Sequence, residues 1–344
     1  MSNKLIIIKN EKISNINGKY FCDNIDGKSI PEGLNQYFDV EVVGKFSNIS
    51  NSHEINIKNI KSSKNIFSYL KLIYKTLTYC DKYLIVSLSP FTFFAILLLT
   101  YFRKKPYLYL RSDGFKEYEK ILGFIGPIFY KLMFSVAALR CQLISCNLQI
   151  LRGKSGNIVS PSQLEDSWFQ NCKKPSLSKI NLLYVGRIKI EKGIFYLLDI
   201  FRRLDDKINL TILPAGPYNK KKLEQKNISI LDYKNTNNSI IEIYDKTNIF
   251  ILPSYTEGHP QVLDEALARR RPVIIFEDIK HVVGERVGIF IAKRSPESLM
   301  EQINFIFQNY DSIYEKMVNN SLPTKKIFLD QIKNIINTKI YEKK

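Results

Sequence analysis

Four charged residues in the second half of the chain have types and spacings that could do chemistry. In "NLLYVGRIKIEKGIFYLLDIFRRL", Arg187 and Lys192 follow an apolar run and precede Ile194, Leu197, Leu198, Phe201 and Leu204, which recur at helical spacing. The spacing predicts a helix from about Lys192 or Gly193, with Gly186 turning the chain off a strand just before it. Two cations beside the free N–H groups of a helix start make a site for a di-anion such as a pyrophosphate. The alternative is a pair of solvated loop charges. In "PSYTEGHPQVLDEALARRRPVII", Glu257 lies in a turn after an apolar run, and Pro260 is expected at the first helical position. The helix turns Val262, Leu263, Ala266 and Leu267 inward and ends before Pro272. Glu265 falls about five residues, roughly 7–8 Å, into it. Carboxylates so spaced can accept hydrogen bonds from two groups of hydroxyls, such as a ribose and a second sugar. A diphosphate would then sit near the amides of Gly258 and His259. Taken alone, the pair reads more readily as a capping glutamate and a solvated helix glutamate. Neither Gly-x-Gly-x-x-Gly nor Gly-x-x-x-x-Gly-Lys-Ser/Thr occurs, so a dinucleotide fold and a P-loop ATPase are unsupported.

The elements that must position these residues are legible as alternating strands and helices. Candidate strands are Leu5–Ile8, Phe38–Val43, Tyr83–Ser87, Tyr107–Leu110, Gln142–Ser145 and Asn157–Ser160. A second series comprises Asn181–Val185, Asn209–Leu213, Ile228–Leu231, Ile249–Leu252 and Val273–Phe276. Such alternation implies α/β architecture with parallel sheets covered on both faces, here in two doubly wound domains. We expect an N-terminal domain over 1–165, a polar Ser/Lys/Pro-rich linker over 166–179, a C-terminal domain over 180–322, and a helix over 323–344 crossing back toward the first domain. In proteins of this build ligands bind at the carboxyl edges of the strands, and two such edges can face across a cleft.

Length and composition agree with two folded domains: 344 residues, of which 45% are hydrophobic. Five cysteines, an odd number without Cys-x-x-Cys spacing or nearby histidines, exclude a disulfide framework or structural zinc and fit a reducing compartment. "MSNKLIIIKNEK" reads as a first strand, its apolar core being too short for a signal peptide. The net charge is +18, and residues 51–150 hold 14 Lys/Arg against 5 Asp/Glu, half of the excess. The same region is aromatic and contains an uncharged run over residues 83–102. By length that run could cross a bilayer, but Pro90 divides it into a strand-like and a helix-like half. No nucleic-acid motif accompanies the charge, so an anionic membrane surface is favoured over nucleic acid as partner.

Gly186-Arg187, Lys192-Gly193, Pro253-Ser254 and "EGHPQVLDEA" together resemble the retaining glycosyltransferases of family 4 (glycosyl transferases group 1), with GT-B architecture. The Glu-seven-residues-Glu pattern of that family is met by Glu257 and Glu265. "LPAGPYNKKKLEQ", "IIEIYDKTNIFILPS" and "VVGERVGIFI" extend the resemblance over most of residues 180–344. It implies two Rossmann-like domains facing a cleft and a UDP- or GDP-linked sugar as donor, with no metal and no further cofactor. Arg187 and Lys192 would hold the diphosphate and stabilise the leaving group. Glu265 would bind the ribose hydroxyls. Glu257, with the backbone of Gly258, His259 and Pro260, would grip the transferred sugar, and Leu231 to Tyr233 would lie near the base. Transfer would retain the anomeric configuration, with the leaving phosphate as base. The acceptor would be a lipid-linked saccharide at the cytoplasmic face of the membrane, in surface polysaccharide assembly such as O-antigen or capsule.

Departures limit the carry-over. Arg271, preceded by Arg269 and Arg270, stands where the family usually has Gly; Pro214 and Asp232 replace two further glycines. The first half matches weakly. Where many members place a histidine after a strand, this chain has Arg111, Ser112 and Asp113 in "PYLYLRSDGF". Asp113 could accept a hydrogen bond from acceptor or donor, or simply make an Asp-Gly turn. Arg111 and Asp113 are thus acceptor-side candidates, with Gly18 in "INGKYFCDN" as a residue of close approach. Two rivals stand beside this reading: an inverting enzyme of the same architecture, needing a first-domain base other than His53 in loop-like "NSHEIN", and a non-enzymatic binder of anions or nucleic acid.

Overall fold

The computed structural model of the chain describes residues 3–48, 53–204, 207–216, 218–231 and 239–338. The chain divides into two compact units. One holds residues up to Pro161 together with those from Lys326 onward, and the other holds Ser162–Lys325. The division falls after Pro161, so residues 166–179 belong to the second unit.

The first unit contains strands β1 (Lys4–Ile16), β2 (Lys19–Cys22), β3 (Asp39–Phe46), β4 (His53–Ile55), β5 (Asn59–Ser63), β6 (Lys82–Val86), β7 (Tyr107–Leu110), β8 (Gln142–Ser145) and β9 (Gly156–Ile158). Between them run helices α1 (Ile25–Leu34), α2 (Ile66–Thr76), α3 (Pro90–Tyr101), α4 (Gly114–Leu122), α5 (Ile125–Arg140) and α6 (Leu148–Leu151). Pairing is parallel in the order β5-β3-β1-β6-β7-β8-β9. Alternate residues of β1 feed the two faces of this sheet. Leu5 and Ile7 pack with α1, and Ile6 and Ile8 pack with α2, α3 and α5, which is why the strand reads as an unbroken apolar run. Pro90 opens α3 behind a Ser89–Thr92 capping box, so the uncharged run over 83–102 folds as a strand and a helix. No described helix is long and apolar enough to cross a membrane.

The hairpins of this unit depart from the sequence reading. β1 does not end at Ile8 but continues to Ile16 and folds back as β2, with β4 antiparallel beyond it. Asn17 and Gly18 both adopt positive φ, the two-residue turn that joins twisted strands. The turn therefore accounts for Gly18, and among the described residues no heavy atom beyond its chain neighbours lies within 4 Å of where its side chain would begin. His53, expected in a loop, opens β4 opposite Cys22.

The second unit is a parallel sheet of β10 (Ile180–Gly186), β11 (Ile208–Pro214), β12 (Ile228–Ile230), β13 (Ile249–Leu252), β14 (Val273–Phe276) and β15 (Ile289–Ala292). Its helices are α7 (Ile194–Phe201), α8 (Ile240–Asp245), α9 (Gln261–Ala268), α10 (Pro296–Gln308) and α11 (Tyr310–Lys316). The strand order β12-β11-β10-β13-β14-β15 is that of a doubly wound sheet, reversing direction between β10 and β13. The last described helix, α12 (Lys325–Asn337), returns to the first unit and inserts Phe328, Leu329, Ile332 and Ile336 into the core on the α1 face.

Candidate active site

The two loops that the sequence marks leave neighbouring strands of the second unit at the point where the strand order reverses, the place where such sheets leave a crevice. The first descends from β10 through Gly186 and Arg187 to a short 3-10 turn, Ile190–Lys192. Gly193 then starts α7 at φ 67°, and a Cβ there would lie 1.9 Å from the Pro253 carbonyl oxygen. Glycine is therefore required both by the left-handed backbone and by the approach of the second loop. No side chain caps α7.

That approach brings Lys192 and Glu257 together. The Lys192 ammonium donates to Glu257 Oε1 at 2.7 Å, and Ser254 Oγ donates to the same oxygen at 2.6 Å. Arg187 stays exposed, its guanidinium making no ion pair among the described residues, while its carbonyl accepts from the Tyr184 hydroxyl at 2.8 Å. The second loop is held from below by Arg294. Its Nη2 donates to the carbonyls of Pro253 (3.0 Å) and Ser254 (3.1 Å), its Nε to Asp278 (2.7 Å), and its guanidinium lies 3.9 Å from the Tyr255 ring centroid. His281 Nε2 lies 3.0 Å from the Glu257 carbonyl oxygen.

Pro260 precedes α9 in an extended conformation, one position outside the helix rather than at its first residue. Its ψ of 100° is what carries the loop into the helix at Gln261. His259 is engaged with Asp264 at 2.9 Å, and Asp264, buried, also pairs with Arg286. These contacts tie the turn to its own helix. Glu265 is the fifth residue of α9, and its Oε2 accepts from the Tyr244 hydroxyl at 2.8 Å. Burial pushes the Glu265 carboxyl up to about 7, with the Tyr244 hydrogen bond opposing the rise and Asp264 adding to it. Leu231 follows β12 and packs against the unit's core, and Asp232 and Tyr233 lie outside the described residues. Next to Arg187, a cavity of about 380 Å³ is lined by Ile188, Phe195, Tyr218, Asn219 and Lys222.

In the first unit, Arg111 leaves β7 and reaches across to Glu11 (2.9 Å), Asp26 (3.4 Å) and Ser87 Oγ (3.3 Å). Asp113 caps α4: Oδ1 accepts from the Phe115 amide at 3.1 Å and Oδ2 from Arg152 at 2.7 Å. Asp113 is thus a helix cap rather than the Asp-Gly turn expected, and both its oxygens are engaged within the first unit.

Ser254 enters the sequence reading only as part of the Pro253-Ser254 motif, with no role given to it. Tyr244, His281 and Arg294 lie 13 to 37 residues from Glu257 along the chain and carry no local signal.

Residues 168–322 match the family model described as Glycosyl transferases group 1. TuaC of Bacillus subtilis (strain 168), named as a candidate teichuronic acid biosynthesis glycosyltransferase, is 35% identical over 123 residues, covering 35% of this chain and 31% of that protein. A Campylobacter jejuni protein named N,N'-diacetylbacillosaminyl-diphospho-undecaprenol alpha-1,3-N-acetylgalactosaminyltransferase is 22% identical over 225 residues, 58% of each chain. The chain thus spans less than two thirds of either relative. Among solved structures, HepE of Anabaena in complex with UDP and glucose aligns with a TM-score of 0.71 at 11% identity, over 97% of this chain and 99% of that one. Nearly the whole of the second unit thus matches the glycosyl transferases group 1 model, and the chain has the GT-B fold.

Proposed function

We propose that the protein is a retaining glycosyltransferase of family 4 that moves a sugar from a nucleotide-diphosphate sugar to a lipid-linked saccharide, in bacterial surface polysaccharide assembly. The observation that carries this reading is the joining of Lys192, Glu257 and Ser254 at the point where the strand order reverses, with Arg187 left exposed beside them. Arg187 and Lys192 supply fixed positive charge where the diphosphate becomes more negative as its bond to the anomeric carbon breaks. The acceptor hydroxyl oxygen bonds to that carbon on the face the phosphate leaves, and the departing phosphate oxygen takes the hydroxyl proton. Glu257 orients the sugar and Glu265 accepts from the ribose hydroxyls. The name of the Campylobacter relative, a transferase acting on a diphospho-undecaprenol saccharide, supports the lipid-linked acceptor and with it a site at the inner face of the membrane. The names of TuaC and of a Staphylococcus aureus capsular polysaccharide glycosyltransferase support the polysaccharide setting. Because both Asp113 oxygens accept hydrogen bonds within the first unit, an inverting mechanism with Asp113 as base has less support.

Calorimetric titration with UDP and GDP, without metal and at moderate salt, tests the donor site. One nucleotide is expected to bind, UDP being favoured by the HepE complex. Glu265→Ala and Arg187→Ala should each weaken it by about 10- to 100-fold, the value of a charged hydrogen bond. Binding of neither nucleotide, or affinity indifferent to both substitutions, overturns the assignment.

The elevated Glu265 carboxyl adds a pH dependence. Below about 7 it takes up a proton, and one of its oxygens becomes a donor. Wild-type affinity for the nucleotide is therefore expected to fall as pH drops through about 7, by a step that Glu265→Ala lacks. Tyr244→Phe removes the opposing hydrogen bond and should move the step to higher pH. Titrations across about pH 5.5 to 8.5 check both shifts.

A further inference from the structure

Helix α5 carries two apolar stripes where a helix on a sheet needs one. Tyr130, Met133, Phe134 and Ala137 are buried against the first unit's core. Ile125, Ile128, Leu132 and Leu139, spaced three, four and seven apart, face outward, Leu132 being 66% and Leu139 81% exposed. The stripe continues around the turn from α4, where Ile121 is 70% and Phe124 83% exposed. Beside α5, α3 exposes Phe94 and Tyr101 as well. Side chains of this size scattered singly need no explanation, but a contiguous stripe marks a contact surface.

Charge selects what covers it. Across the hairpin, from Gly114 to Arg140, the chain has four cations, Lys116, Lys120, Lys131 and Arg140, against two carboxylates, Glu117 and Glu119, both on α4. All four cations are exposed, and no carboxylate follows Glu119 in the hairpin. A second copy of the same face would set these cations against one another, whereas an anionic surface would complement them. At 16 residues, α5 is about 24 Å long, short of the roughly 30 Å hydrocarbon core, and it carries Lys131 midway. A helix with this pattern lies in the plane of the bilayer interface rather than through it.

We infer that the α4–α5 hairpin of the first unit is a membrane-docking element, sinking Phe124, Ile125, Ile128 and Leu132 into the headgroup boundary of a bilayer rich in acidic phospholipid. The inference rests on the membrane placement proposed above and names the element that makes the contact. It also moves the contact from residues 83–102, whose strand half is buried, to the α4–α5 hairpin further along the same basic, aromatic region.

Vesicle co-sedimentation of the full chain tests it, using phosphatidylcholine vesicles with and without phosphatidylglycerol. Wild type is expected to bind the phosphatidylglycerol vesicles, less at high salt, and to bind pure phosphatidylcholine weakly. Phe124→Gln/Ile128→Gln and, separately, Leu132→Gln change exposed positions. They should lower the bound fraction, the double variant by on the order of tenfold or more, with nucleotide affinity retained. Val318→Gln, an exposed apolar position in the second unit, should bind vesicles as wild type does. If wild type binds neither vesicle, the membrane placement fails and the hairpin with it. If wild type binds and the hairpin variants bind equally, the placement stands and the hairpin assignment alone is overturned. A wild-type dimer by light scattering that the double variant converts to monomer would assign the face to a second copy and also overturn it.

Discussion

Replacing Lys192 with alanine is expected to lower sugar transfer by on the order of 10²- to 10³-fold, the usual loss when one fixed group that stabilises developing charge is removed. The position is unusually constrained. Lys192 ends a 3-10 turn, Gly193 behind it has no room for a Cβ, and the ammonium meets a Glu257 oxygen already bonded to Ser254. A cation so held loses little by reorganising when charge builds on the leaving phosphate. The substitution also leaves Glu257, whose side chain is 10% exposed, with Ser254 Oγ alone on that oxygen. Part of the loss is therefore expected in sugar binding as well as in turnover. Lys192→Arg keeps the charge and should recover part of the rate, though a planar guanidinium does not reproduce a compact ammonium. The assay is nucleotide release from the nucleotide sugar whose nucleotide binds, with the melting temperature measured alongside. A folded Lys192→Ala variant within about threefold of wild type would remove this residue from the charge-stabilising role.

The second large effect concerns stability. Arg269 and Arg271 are 1% and 0% exposed, among the largest side chains fully buried in the protein. Arg269 grips Asp245 through Nε (2.9 Å) and Nη2 (2.7 Å) and donates to the carbonyls of Trp168, Gln170 and Asn171 at 2.7–3.0 Å. Arg271 reaches the same Asp245 at 3.2 Å and the Lys173 carbonyl at 2.6 Å. Together they fasten the segment before β10 to the end of α8. Arg269→Ala would leave a mostly buried carboxylate short of its main partner and three carbonyls without their donor. Breaking a buried pair in this way costs about 3–5 kcal/mol. Arg271 still faces Asp245, so the lower end, about 3 kcal/mol, is expected. Arg269→Lys should not restore it, because one ammonium cannot serve a bidentate carboxylate and three carbonyls. Denaturant unfolding of each variant measures the loss; a change below about 1 kcal/mol would show that the clamp is dispensable.

This clamp also marks where sequence reading stopped. The run Arg269-Arg270-Arg271 stands out in the sequence only as a departure from a glycine pattern. Whether an arginine is solvated or buried depends on Asp245 and on carbonyls near residue 170, and nothing local announces them. By contrast β7, β8, β13 and β14 were legible to the residue, because a strand buried on both faces is written as a short apolar run. Lys192 and Glu257 were legible as candidates from their loops, but their contact, spanning 65 residues, follows from the strand order. β2, β4 and β5 were missed since short mixed-polarity strands take their identity from partners. The Asn17-Gly18 turn was nevertheless a usable hairpin signal. The outward stripe of α5 was hidden for another reason: a helix apolar all round does not say which side the protein covers.

The return of α12 to the first unit has a consequence for how the chain is made. The first unit's core on the α1 face is incomplete until Phe328, Leu329, Ile332 and Ile336 exist, and Tyr107 and Tyr37 find hydrogen-bond partners at Ile336 and Asp330. The second unit is contiguous from Ser162 to Lys325. On a ribosome, domains ordinarily finish in the order in which they emerge. Here the half synthesised first must wait, with part of its apolar sheet face uncovered, until the half synthesised second has left the exit tunnel.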